Sequence, residues 1–117
     1  MIDLLYTWVE RIKSNNAIDV ASLYHQDGLL LGTFSNSERK GKEQILDYFN
    51  TLFNSKVDVE IKTKHIYKTK SLSTVSGLYN FRVDDKIIEA RFSFVFLKVN
   101  HKWKIISHHS SLIPNKN

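Results

Sequence analysis

The chain has 117 residues, 42% of them hydrophobic and 25% charged, with a formal net charge of +5. That length and balance suit one folded domain with its own core rather than a disordered tail. The absence of cysteine excludes disulfides, thiolate nucleophiles and zinc–cysteine sites. No apolar run approaches the roughly 20 residues that span a bilayer. Asp3 and Glu10 stand where a signal peptide wants positive charge. A soluble, cytoplasmic protein with no membrane contact is expected.

Much of the positive excess falls on Lys56, Lys62, Lys64, Lys68 and Lys70. The last four share parity along a predicted strand, and no aromatic platforms are interleaved with them. They read as a solvated face, and nucleic acid is not favoured as a partner.

In chain order, Ile2, Leu5, Tyr6, Val9 and Ile12 recur at the spacing of one helical stripe. Asn15 and Asn16 stop this helix and can cap the next. A short second helix is predicted over 17–24, with Val20, Leu23 and Tyr24 on one side. His25-Gln26-Asp27-Gly28 reads as a turn, Leu29-Leu30-Leu31 as a short buried strand, and Ser35 to Lys42 as a loop. A third helix, over 42–54, carries Ile45, Tyr48, Phe49, Leu52 and Phe53 at helical spacing.

From Val57 the period changes to two. Val57, Val59, Ile61, Thr63, His65 and Tyr67 predict one continuous half-buried strand. Val75, Gly77, Tyr79, Phe81 and Val83 mark the next, and Asp84-Asp85 a hairpin turn. Over 87–99, Ala90, Phe92, Phe94 and Phe96 share one face while Val95 and Leu97 share the other. Asn100-His101 makes a second tight turn before a last strand from Trp103 to Ile113. The expected class is α+β: a curved antiparallel sheet packed on three N-terminal helices. With the helices on one face, the other face of strand 87–99 needs cover. A second copy of the chain, as a homodimer, supplies it most simply.

The order of these elements is distinctive when taken with particular segments. They are Asp27-Gly28-Leu29-Leu30-Leu31-Gly32-Thr33-Phe34-Ser35, Ile45-Leu46-Asp47-Tyr48-Phe49, Ser76-Gly77-Leu78-Tyr79-Asn80-Phe81 and Ala90-Arg91-Phe92-Ser93-Phe94-Val95. The closing Trp103 to Pro114 run, with its His108-His109-Ser110-Ser111, is the most specific. Together they resemble small bacterial proteins related to the calcium/calmodulin-dependent protein kinase II association domain. That family belongs to the nuclear transport factor 2-like (polyketide cyclase-like) superfamily. The resemblance covers nearly the whole chain. It implies a cone-shaped fold with a pocket at its wide end, and a homodimer through the sheet that can build larger rings. It implies no kinase activity, and no glycine-rich nucleotide loop is present. The hub domains of that family carry pocket arginines, and rough register places Tyr79, Phe94 and Ser110 at some of those positions.

Arg91 is the most informative single residue, because it interrupts an apolar strand where an unpaired guanidinium is costly. It is expected either in a structural ion pair or holding a bound anion. His108 and His109 are adjacent on a strand and so face opposite sides, which prevents them from chelating one ion. No other histidine spacing suits a metal, so neither a metal nor a cofactor is expected. One of the two histidines should face inward, as a hydrogen-bonded core residue or as a general base. Tyr24, Tyr48 and Tyr79 lie on apolar faces and bring hydroxyls inward, while Ser110 lacks the partners of a nucleophile. Arg91, His108, His109, Tyr79, Tyr48, Tyr24 and Ser110 are therefore the pocket candidates. Asp27 and Asp47 are the acids to test for a dyad with the inward histidine.

Three functions fit these features. The first is a non-catalytic homo-oligomer whose pocket binds a small, carboxylate-bearing molecule. The second is a dehydratase, isomerase or cyclase using acid–base residues in the same cone. The third is a pure association module, which a pocket filled by its own side chains would favour.

Overall fold

The computed structural model describes residues 2–114. Helix α1, Ile2–Ser14, buries Leu5, Trp8 and Ile12, which lie one helical turn apart. Tyr6, expected in this stripe, is instead 42% exposed, and the Lys64 ammonium lies 5.6 Å from its ring centre. The side chain of Ile2 falls outside those described. Asn15 ends the helix in the left-handed region, at φ 55°, which Asn tolerates better than most residues. Its side-chain amide donates to the Val57 carbonyl at 2.9 Å and accepts from the Val57 N–H at 3.2 Å. One side chain thus acts as a ladder rung at the sheet edge. Asn16 caps α2, Ala17–Ala21, by accepting from the Asp19 N–H.

Helix α2 is shorter than its sequence predicts, because Tyr24 opens strand β1, Tyr24–Leu31. The sheet captures this segment: the Ile105 N–H donates to the Leu23 carbonyl at 2.9 Å, and Tyr24 pairs with Ile105. The expected turn at 25–28 is a bulge within β1, where pairing lapses between Tyr24 and Leu29. Strand β2, Arg39–Lys40, lies in the expected loop and pairs antiparallel with Leu29 and Leu30. Two residues are too few to leave a periodic signal. Helix α3, Lys42–Leu52, follows and buries Ile45, Tyr48, Phe49 and Leu52.

The predicted strand from Val57 to Tyr67 divides into β3, Val57–Ile61, and β4, His65–Lys68. Both pair with β5, Leu72–Val83. The break falls where β5 carries Gly77, whose missing Cβ leaves room for the Thr63 carbonyl. The Lys62 and Thr63 N–H groups both point to the Leu78 carbonyl. The lysines from 62 to 70 therefore do not share one strand face. Strands β6, Lys86–Val99, and β7, Lys102–Leu112, complete the meander. Both hairpin turns, Asp84-Asp85 and Asn100-His101, have two positive φ values, the pairing that suits the right-handed twist of the strands.

The sheet order is β2-β1-β7-β6-β5-β3, with β1 parallel to β7 and β4 beside β5. Val75, Tyr79, Phe81, Phe92, Phe94, Phe96 and Ile105 line the inner face and pack on the helices. Burying each such side chain contributes roughly 1.5–3 kcal/mol. Among the described residues, no helix is long and apolar enough to cross a membrane.

Candidate functional site

His108 sits mid-strand on β7, opposite Phe94 of β6 and beside Leu30 of β1. It points inward and is 2% exposed. A one-residue bulge places it there. Beyond the Phe96–Ile105 pair, Ile106 is skipped and Val95 pairs with Ser107. The inserted residue turns His108 to the core and His109 to the outer face. The imidazole stacks on Phe94, centroids 3.9 Å apart, and Trp8 meets it edge-on at 5.3 Å.

Both ring nitrogens are bonded to tyrosine hydroxyls. Tyr24 lies 2.8 Å from Nδ1 and Tyr79 lies 3.1 Å from Nε2. Tyr79 continues to the Ser110 hydroxyl at 2.5 Å, and Ser110 to Thr33 at 2.6 Å. At the other end the Trp8 indole N–H donates to the Tyr24 hydroxyl at 3.2 Å. Tyr79 has one hydroxyl proton, and donating it to Ser110 sets the direction at the ring. Tyr79 therefore accepts from Nε2, which carries the ring proton, and Nδ1 accepts from Tyr24, whose oxygen accepts from Trp8. Ser110 and Thr33 share the last hydrogen bond of the chain.

Every member of this chain is neutral. Burial, and secondarily His109, holds the His108 pKa down to about 3. Burial also raises Tyr24 and Tyr79 well above the usual phenol range and pushes Tyr48 up to about 12. At neutral pH the histidine has its one acceptor nitrogen already filled by Tyr24. It can take a substrate proton only by breaking a buried hydrogen bond, a poor arrangement for a general base. The space around it is occupied: Trp8 stacks on Tyr79 at 5.9 Å and Phe92 on Tyr79 at 4.5 Å.

A family model for the SnoaL-like domain matches residues 2–116. The chain belongs to the SnoaL-like domain family. A Xanthomonas campestris protein named for the calcium/calmodulin-dependent protein kinase II association domain is 34% identical. The match covers 97% of this chain and 85% of that one, with a TM-score of 0.90. A Salmonella enterica protein of the nuclear transport factor 2-like superfamily matches at 16% identity, over 98% and 89% of the two chains, with a TM-score of 0.83. A Streptomyces avermitilis protein of that family, named for dehydratase activity, matches at 13% identity, over 96% and 92%, with a TM-score of 0.85. The last two show the fold alone, which is nuclear transport factor 2-like. No curated protein matches the chain.

In this SnoaL-like chain the candidates divide between two faces. Tyr24, Tyr79, His108 and Ser110 meet inside, as just described. Tyr48 is inside but apart, its hydroxyl 3.4 Å from the Phe34 N–H and its ring pressed against Gly32. Arg91 and His109, by contrast, are exposed on the outer face. Arg91 there meets neither carboxylate nor core; its Nε donates to Ser111 at 3.4 Å. With Phe92 and Ser93 these residues line a groove of about 220 Å³. Arg91 escapes the expected desolvation because only alternate residues of β6 are buried.

Neither candidate acid reaches His108. Asp27 is exposed beside His25, and Asp47 pairs with Arg39 at 3.1 Å. Among the described residues, no three His, Asp or Glu side chains converge as a metal site would require. Two members of the buried chain escaped the sequence reading. Trp8 falls three residues after Leu5 and four before Ile12, so its helical spacing already marked it as core. Thr33 lies past the end of β1, where no periodicity reports on a side chain.

Proposed function

We propose that this chain is a non-catalytic self-associating domain, two copies of which pack through the outer face of the sheet. One observation carries the proposal: the cone is filled by its own aromatic side chains around a histidine whose two nitrogens are already bonded. Leu31, Leu72, Leu78 and Tyr67 remain 38–69% exposed on the outer face. They border hydroxyls such as Ser76 and Ser93, whose oxygens lie 2.8 Å apart. Such a mixed surface suits an interface more than free solvent. The name of the Xanthomonas relative supports an association role. A small carboxylate, if taken up, belongs on the outer face with Arg91, His109 and Ser111, because no lysine or arginine among the described residues is fully buried. The dehydratase reading needs a carboxylate or a free basic nitrogen beside substrate, and the contacts of His108 are hydroxyls and aromatic rings.

Sedimentation velocity at micromolar concentration tests the proposal, with Leu78→Asp and Arg91→Ala beside the wild type. A wild-type dimer that Leu78→Asp converts to a folded monomer is the expected result. A monomeric wild type would overturn it. A shift in thermal midpoint with small carboxylates that Arg91→Ala abolishes would locate the ligand on this face.

A further inference from the structure

The bulge in β1 opens a second cavity, at the opposite end of β7 from Ser110. Residues 25–27 leave the register with β7, and Gly28 returns the chain close to the His25 and Ile105 carbonyls. The resulting cleft, about 380 Å³, is lined by Tyr24, His25, Gln26, Lys42 and the β6–β7 hairpin residues Val99, Asn100, Lys102 and Lys104. Three lysines from two separate elements face it, and none of its lining residues is a carboxylate. The salt bridges among the described residues involve His25, Arg39 and Lys62, so these three lysines have no acidic partner there.

Lys104 is held in place by donating to the Ser22 carbonyl at 2.8 Å. Burial first, then the charges of Lys42, Lys102 and Arg11, hold its ammonium below the usual lysine range. Mutually repelling cations left without a counter-charge are unfavourable unless an anion joins them. His25 also lines the cleft. The Asp27 N–H donates to Nδ1 of His25 at 2.9 Å, which leaves the ring proton on Nε2. The exposed Asp27 carboxylate lies 4.0 Å from the same nitrogen. Lys42 is the first residue of α3, so its ammonium comes from a different element than those of Lys102 and Lys104.

We infer that this cleft binds a small multivalent phosphate anion through Lys42, Lys102 and Lys104. Lysines converging from separate elements suit a compact group with several charged oxygens, whereas a monocarboxylate would engage only one or two of them. Its three lysines belong neither to the buried hydrogen-bond chain nor to the residues proposed for the interface.

Calorimetric titration of inorganic pyrophosphate at low ionic strength tests the inference. The wild type is expected to bind, with affinity falling as salt rises. Lys102→Gln and Lys104→Gln should each weaken binding about tenfold, as loss of a charge-assisted hydrogen bond does. Lys68→Gln and Lys70→Gln should leave it unchanged, and acetate should not compete. Phosphoinositide vesicles separate the sources of the phosphate: binding to them that pyrophosphate displaces supports the same site. Vesicle binding that pyrophosphate leaves untouched would overturn the inference. So would absence of pyrophosphate binding, or equal losses in all four lysine variants. Circular dichroism spectra matching the wild type ensure that a loss reports on the cleft and not on folding.

Discussion

His108 is 2% exposed with tyrosine hydroxyls on both ring nitrogens, whereas His109, one residue further on, stands at the surface beside Arg91 and Ser111. The two are the same chemical group on the same strand, yet they obey different energetics. The inner one is held by aromatic contacts and a directed hydrogen-bond chain in a medium where charge is costly. The outer one is solvated and free to meet a partner. The lesson extends along each strand: the inner side chains of β6, Phe92, Phe94 and Phe96, supply stability, and the outer ones, Arg91, Ser93 and Val95, are available for recognition.

Four experiments sharpen or break this contrast. The largest effect is expected for His108→Ala, which opens a cavity and leaves the Tyr24 and Tyr79 hydroxyls without their partner. A loss of about 3–5 kcal/mol in urea unfolding is expected. His109→Ala at the surface should change the same measurement by no more than about 0.5 kcal/mol. Comparable losses at both positions would break the contrast.

Next comes acid. His108 is depressed in the folded protein to about 3, against an ordinary histidine value of 6.5. Between those values the unfolded chain binds the proton and the folded chain does not. The contribution is therefore fully present above pH 6.5 and lost as pH falls toward 3, at about 1.4 kcal/mol per pH unit. Unfolding free energies of wild type and His108→Gln, compared between pH 4.5 and 6.5, should differ by that slope. A wild-type slope no steeper than that of the variant would remove the buried neutral histidine. Asp84, lowered chiefly by the Lys56 N–H, also favours folding above its titration and adds to acid loss in both proteins, so it cancels in the comparison.

A smaller effect belongs to Trp8→Phe, which keeps an aromatic ring but removes the donor to Tyr24. About 1–3 kcal/mol should be lost, combining one buried hydrogen bond with reduced packing. The Nδ1 proton should become observable by NMR if Tyr24 turns to accept from the ring. Thr33→Val, at the far end, should cost about 1 kcal/mol, since Ser110 keeps its bond to Tyr79 and loses only one partner. A neutral outcome there would mean that water replaces Thr33.

Much of this molecule was determined by the sequence alone. Spacing in 42–54 marked α3 and its buried face, and alternation over 87–99 put Phe92, Phe94 and Phe96 together on one face. The Asp84-Asp85 and Asn100-His101 turns were legible because few residue types accept paired positive φ values. Strand alternation also required that His108 and His109 part company. Tertiary structure alone decided which of them turned inward. Continuing the register of Phe96 and Ile105 would have set His109 inside, opposite Phe92, and the bulge at Ile106 reversed the choice. A bulge depends on contacts between strands, so no local period announces it. The same reason hid the break at Thr63, set by Gly77 across the sheet, and the 25–28 bulge that opens the lysine-lined cleft. Periodicity reports the face a residue prefers, whereas register is settled by partners distant in sequence.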